Sequence, residues 1–370
     1  MEIDLSGVPV FDGHAHNLLL PTWLKEYPFE GIFTESDNHE YIKFLSHETL
    51  SFKRSMLDIS KILECPSEVE EIKKRRNSMS QSDLTSLYFK EANISSIVLD
   101  DGLCSSRTRS VEWHGKFVDV HRALRIENLA ESIIAESTSF DSFLSDFRDA
   151  LLSTSENVVA YKSIIAYRSG LSIRRVDKET AREGYMIERE KTSARIVDKR
   201  LLDFLFHLAL EISSARMIPF QIHTGWGDRD LSLIDSNPLL LKSVLEDEKV
   251  SRAKVVLLHC YPYPREGAYL AAIYPNVFVD FGLSVPLLSI KGMEFTISSM
   301  LEIAPVTRVC YSSDARFLPE GFYLAALWAR RILGRVLWNS VEQGEISLEE
   351  SYRVAERVLE GNSRSLYLGY

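Results

Sequence analysis

Five residues that commonly ligate metals stand where one scaffold could bring them together. His14 and His16 lie two apart at the end of the apolar run VPVFDGHAH, residues 8–16. A strand's period of two sends both imidazoles to one face, where they can share a single ion. An HxH pair alone is weak evidence. Three further apolar runs close on the same kinds of residue: His223 in QIHTGWGD, His259 in VVLLHCYPYP and Asp314 in CYSSDARFLPE. A lone histidine at a strand end reads as a hydrogen-bonded core residue, but four histidines and an aspartate in equivalent places do not. This N/O set suits Zn²⁺ first, with Mn²⁺ or Fe²⁺ as alternatives. A bound divalent ion lowers the pKa of its water toward ~7. Asp314, as general base, can accept that proton and pass it to a leaving nitrogen. With one metal only, His259 or His223 would serve as a donor to the oxyanion.

Those positions require a fold that gathers many strand ends at one mouth. Short apolar runs alternate with longer segments of helical periodicity, the pattern of parallel strands with crossover helices. The strands read as residues 8–16, 94–102, 123–127, 158–166, 219–225, 254–260, 276–282 and 308–314. Residues 200–215, RLLDFLFHLALEISSA, carry a wide apolar helical face, and 321–338 and 348–360 read alike. Eight strands mostly followed by helices predict an α/β fold, a (β/α)8 TIM barrel, with an open doubly wound sheet as the alternative. A barrel keeps its chemistry at the C-terminal ends of its strands, where the four histidines and Asp314 fall. Two stretches exceed a minimal barrel: 18–90 after the first strand, mainly helical, and 171–199 after the fourth, with the charged helical segment RRVDKETAREGYMIEREK. Both would stand over the mouth as lid or pocket wall. With no repeat or low-complexity linker, residues 1–370 read as a single domain.

Composition removes other functions. An apolar share of 45% over 370 residues excludes a disordered chain, and 17 glycines and 4 cysteines exclude collagen-like and disulfide-scaffold classes. A net charge of −10 argues against a nucleic-acid partner. Cys65, Cys104, Cys260 and Cys310 are far apart and form no CxxC pair, which suits a reducing, cytoplasmic setting. No signal peptide and no run approaching the ~20 apolar residues of a membrane helix is read. GxGxxG, GxxxxGK[ST] and GxSxG are absent, which leaves nucleotide-cofactor and serine-hydrolase readings without support.

Other polar residues near the expected mouth carry two readings each. Arg168, six residues beyond Lys162, offers a guanidinium fork for a substrate carboxylate or a salt bridge to an acidic neighbour. Trp226 and Tyr261, just past His223 and His259, line the pocket or pack. Asp100 and Asp101 end strand two and Glu127 ends strand three, where a carboxylate caps the next element or orients a ligand histidine. His39, His47, His114 and His121 fall in insertions or loops and read as surface or packing residues, and His207 as a core or interface residue. Cys260 and Cys310 read as buried inert thiols.

HxH on strand one, His on strands five and six and Asp on strand eight is a pattern that resembles the amidohydrolase superfamily. DGHAHN, LSFKRS, FKEANISSIVLDDGL, EWHGKF, LRIE, YKSIIAYRSGL, YPNVFVDFGLSVP and SSDARFLPE narrow the resemblance to the amidohydrolase domain of fungal FluG and plant nodulin/glutamine-synthetase fusions. It runs from about residue 8 to the end, where VLEGNSRSLY looks like the family's closing helix. The sequence stops where those fusions continue into a glutamine-synthetase domain, so the resemblance implies a stand-alone version and carries over no ligase activity. It also implies that Lys162, on strand four, either bridges two metals as a carboxylated lysine, with His223 and His259 on the second metal, or remains an ordinary ammonium at a one-metal site.

The expected function is therefore that of a metal-dependent hydrolase acting on a C–N bond. The resemblance suggests an amide of a small carboxylate such as a glutamyl compound. A small-molecule substrate is expected, with one or two divalent ions, no nucleic acid and no membrane; a homo-oligomer is compatible. A metal-dependent decarboxylase or lyase on the same barrel is the first alternative, and a non-catalytic signalling or scaffold module the second.

Overall fold

Near-continuous runs of Val, Ile and Leu become strands here because both their faces are buried, as parallel strands inside a ring of helices must be. In the computed structural model, which describes residues 1–192 and 195–369, eight strands form one parallel sheet in sequence order. They are β1 (Val10–His16), β2 (Ile94–Asp100), β3 (Asp119–Arg125), β4 (Val158–Ser163), β5 (Phe220–Thr224), β6 (Val255–His259), β7 (Val277–Asp280) and β8 (Val309–Cys310). The ring closes between β8 and β1. Gly13 N–H donates to the Tyr311 carbonyl at 3.1 Å, Asp314 N–H to His14 O at 2.9 Å and His16 N–H to Ala315 O at 2.8 Å. The expected TIM barrel is the fold observed.

Strand β3 differs from its expected limits. It starts at Asp119, and Glu127 lies in the first turn of the helix Ile126–Glu136 rather than at the strand's end. The first half of β3, DVHR, is partly exposed and polar, so it gave no apolar run to read.

Below the mouth, Phe11, Val98, Ala123, Ala160, Val256, Leu258, Phe278 and Cys310 fill the interior. Leu366 and Tyr367 from the last helix, Asn362–Leu368, plug the bottom. The insertion after β1 is helical, as its periodicity predicts. Leu50–Leu63 starts where Thr49 accepts the Phe52 N–H and ends at Glu64 in the left-handed region (φ 51°). Its Phe52, Met56, Ile59 and Leu63 recur at helical spacing and are buried. Val69–Asn77 and Gln81–Glu91 follow, and the buried turn Phe29–Phe33 leans over the barrel mouth. In the second insertion Asp177 caps the helix Lys178–Arg189, which packs on Lys199–Arg216; residues 193 and 194 of that insertion lie outside the described residues. No helix among the described residues is long and apolar enough to cross a membrane.

His114 ties the first insertion down. Its Nε2 accepts the Leu18 N–H at 3.1 Å and its Nδ1–H donates to Ser110 O at 2.9 Å. Burial pushes its pKa down to about 4. The unfolded chain, with histidine near ~6.5, binds the extra proton first, so stability falls as pH drops from about 6.5 toward 4. One such group accounts for up to ~1.4 kcal/mol per pH unit over that window. Replacing it (His114→Gln) should remove that share of the slope in thermal unfolding scans between pH 4 and 7; an unchanged slope would show that His114 does not titrate on unfolding.

Candidate metal centre

His14, His16 and Asp314 converge at the C-terminal mouth, and their ligand atoms all lie within 4.8 Å of one another. Asp314 Oδ1 is 3.3 Å from His14 Nε2 and 3.4 Å from His16 Nε2. The tautomers follow from the other ring nitrogens. His14 Nδ1 lies 3.0 Å from Gln221 Oε1, and that amide is oriented by donating from its Nε2 to Gly13 O at 2.8 Å and Tyr367 Oη at 2.9 Å. His16 Nδ1 lies 3.0 Å from the Asp100 carbonyl. Both Nδ1 atoms must therefore carry the proton, which leaves both Nε2 lone pairs facing a carboxylate. Three acceptors aimed at one point repel unless a cation sits among them, so the donor set fits a divalent metal.

The next two ligand candidates stand beside these three. His259 Nε2 is 3.8 Å from Asp314 Oδ1 and buried without a hydrogen-bond partner among the described residues, while its Nδ1 faces Gly282 O at 3.2 Å. His223 packs against it, ring centres 4.7 Å apart, and its Nε2 meets Trp226 O at 3.1 Å, which leaves Nδ1 as the free lone pair. Pairing across β3–β4–β5 sets Arg125, Lys162 and Gln221 side by side. Lys162 is buried there with Nζ 3.3 Å from His14 Nε2. Of the six residues read as candidate ligands, His14, His16 and Asp314 form the convergent group, and Lys162, His259 and His223 stand beside it.

Backbone strain marks the same place. His259 (φ 68°), Cys260 (φ 60°) and Asp314 (φ 50°) occupy the left-handed region that non-glycine residues avoid. Gly225 (φ 72°) follows β5 where a Cβ would collide with the Tyr261 carbonyl, so the two loops after His223 and His259 can cross closely.

Electrostatics set the protonation states a cation needs. Burial, reinforced by the Lys162 charge, pushes His14 down to about 3, and burial pushes His259 down to about 4. Burial alone would raise Asp314, but the facing His259, His14 and His16 outweigh it and hold the carboxyl well below its ordinary range. Burial draws Lys162 down to about 8, which gives its amine a neutral fraction near neutral pH.

Residues 195–368 match the family model described as Amidohydrolase. Protein fluG of Emericella nidulans is 33% identical over 97% of this chain, and the chain spans 45% of that protein's length. A Lactobacillus casei protein described as a metal-dependent hydrolase superposes with a TM-score of 0.87 at 25% identity, over 100% of this chain and 98% of its own. The chain belongs to the amidohydrolase superfamily. Uronate isomerase of Thermotoga maritima shares the fold of this chain at 16% identity (TM-score 0.68, covering 97% of this chain and 94% of its own). Membership of the superfamily implies a divalent metal and a small-molecule substrate.

Several residues around the centre resolve the paired readings made from sequence. Arg168 Nη2 meets Glu131 at 2.9 Å, the salt-bridge alternative. Trp226 and Tyr261 pack edge to face, ring centres 6.0 Å apart, beyond β5 and β6. Asp100 orients His16 through its backbone carbonyl, while its carboxylate is bound by Arg125 (Nη2–Oδ2 2.7 Å). Asp101 meets Arg122 at 2.8 Å. Glu127 accepts from the Ser163 hydroxyl at 2.6 Å and the Ile164 N–H at 3.1 Å, and holds the turn after Lys162. His47 stacks on Phe52, His121 on Phe11, and His39 is exposed, all away from the centre. Cys260 and Cys310 are buried thiols, pushed up to about 12 by burial.

Two site groups carried no sequence signal of their own. Arg316, two residues past Asp314, pairs with Glu35 from the first insertion at 2.5 Å and donates to Thr34 O at 2.9 Å. Ile32, Phe33, Asp314 and Arg316 border a space of only about 20 Å³. Gln221 lies within β5, and the strand alternation that points it inward beside His223 is the clue the sequence offers. Gln221→Leu should weaken metal binding ~10- to 100-fold by freeing the His14 tautomer, as loss of a partner behind a ligand histidine does. Competition with a fluorescent chelator measures this, and unaltered affinity would deny Gln221 that role.

Proposed function

We propose that this chain is a metal-dependent hydrolase that cleaves a C–N bond, an amide of a small carboxylate such as a glutamyl compound. The observation that carries the reading is the convergence of His14 Nε2, His16 Nε2 and Asp314 Oδ1, with the unpartnered His259 Nε2 beside them. His14, His16 and Asp314 would hold one ion, most simply Zn²⁺; Lys162, His223 and His259 would complete a second position. Such an ion supplies a water of lowered pKa and polarises the scissile carbonyl. Asp314 takes the proton from the attacking water as general base and returns it, as general acid, to the departing nitrogen. Where only one ion binds, His259 would donate to the oxygen that gains charge only when Nε2 is protonated as well, since its Nδ1 proton is given to Gly282 O. Arg168 and Arg316, each engaged by a glutamate, are the cations from which a substrate carboxylate would displace that partner. Trp226 and Tyr261 would wall the pocket. The metal count and the neutral fraction of Lys162 are linked: the neutral amine is the form that CO₂ carboxylates.

Metal content by plasma mass spectrometry, paired with a release assay on γ-glutamyl amides and N-acyl amino acids, tests this. Metal in the purified chain with ammonia or amine as product is the expected result. CO₂ as product would replace the hydrolase with a decarboxylase, and a chain that takes up no zinc or manganese would remove the enzyme reading.

A further inference from the structure

At the opposite end of the barrel, a cavity of about 490 Å³ opens at the N-terminal ends of β6, β7 and β8. Lys254 immediately precedes β6, Asn276 precedes β7 and Arg308 precedes β8, while Arg357 and Ser365 border it from the closing segment. The residues lining it include three cations and no carboxylate. Among the described residues, Lys254, Arg308 and Arg357 face no acid within salt-bridge distance; the Arg308 guanidinium carbon sits 4.7 Å from the centre of the Phe278 ring. The nearby Glu360 is taken by Arg364 at 2.6 Å. In a chain of net charge −10, three uncompensated cations around one hollow are a local reversal of sign. A concave surface lined by one sign focuses the field and attracts the opposite charge. Its wall is also fixed in place: Asn276 Nδ2 donates to Ala253 O at 2.7 Å, and Asn362 Nδ2 to Val306 O at 2.7 Å and Val309 O at 2.8 Å.

We propose that this cavity binds a phosphorylated small molecule, with Arg308, Arg357 and Lys254 on its phosphate oxygens and the rest of the hollow holding its organic part. Guanidinium groups match phosphate oxygens in pairs, and an ammonium adds a third point charge. The volume is that of a metabolite site rather than of a single anion. The site stands independently of the reaction run at the metal centre, from which it is separated by the whole packed barrel interior.

Calorimetric titration of the full chain with pyrophosphate, and separately with inorganic phosphate, tests it. The wild type should bind pyrophosphate saturably, more tightly than phosphate and more weakly as salt is raised. Arg308→Gln with Arg357→Gln should lose at least tenfold in affinity, while Asp314→Asn should stay within twofold of wild type. Lys254→Gln, at one edge, provides a milder second variant with a smaller loss, should the double variant fail to fold. Absence of saturable binding, equal binding by the arginine variants, or loss confined to Asp314→Asn would each overturn the proposal, the last by placing the anion at the metal centre. Binding of a poly-glutamate peptide that needs both arginines and that pyrophosphate does not displace would also overturn it, in favour of a protein-docking surface.

Discussion

Asp314→Asn should keep the fold and lower turnover ~100- to 10,000-fold, the range for removing a positioned proton-transfer group. Asparagine is nearly isosteric and, unlike most residues, tolerates the left-handed backbone found at Asp314 (φ 50°). The Asp314 N–H to His14 O bond that helps close the barrel does not depend on the side chain. The substitution therefore removes a charge and a proton acceptor and little else. The metal-free variant has a further signature. An asparagine amide can donate toward His14 Nε2 and His16 Nε2, which the carboxylate faces at 3.3 and 3.4 Å as a third acceptor. Its thermal midpoint should match or exceed that of metal-free wild type, while the rise produced by adding zinc shrinks, because stabilisation by a ligand follows its affinity. Turnover within tenfold of wild type would take proton transfer away from Asp314. A midpoint far below wild type would mean that the carboxylate holds the fold rather than the chemistry.

How much of this was legible in the sequence depends on where each constraint comes from. The candidate ligands were readable because strand geometry is local: a period of two places His14 with His16, and an apolar run ending in His or Asp marks a strand's C-terminal end. Closure of the barrel then brings residues 301 positions apart into contact, as with Asp12 accepting from the Ser313 N–H at 2.8 Å. The partners behind the ligands were less legible. Asp100 reads as a carboxylate that caps the next element or orients a histidine, yet it is the backbone carbonyl that orients His16, and every residue has one. Glu127 was assigned to a strand end because the polar first half of β3 hid that strand's true start. The Arg316–Glu35 pair joins the last strand's loop to an insertion whose path no periodicity dictates. Arg168 read as a salt-bridge partner or a substrate clamp, and only the position of Glu131, on the neighbouring helix, decides which partner it meets.

The joint change His14→Ala with His16→Ala should abolish metal retention at the His14–His16–Asp314 position, leaving below ~0.1 ion there after dialysis and at most an ion held by Lys162, His223 and His259, because two of the three convergent donors go and one carboxylate binds a divalent ion weakly. This is the larger of the two effects, since catalysis and metal-linked stability fall together. Removing two buried imidazoles also opens a void, so a loss of a few kcal/mol in stability accompanies it. His16→Gln separates the two consequences. It keeps much of the side-chain volume at a position that is 7% exposed and removes only one nitrogen donor, so it should lower metal affinity with little change in the metal-free midpoint. Circular dichroism on each variant with and without zinc makes the distinction. If the double alanine variant keeps its full metal content, the ion sits elsewhere, and the three acceptors around Asp314 would have to be held together by a shared proton instead.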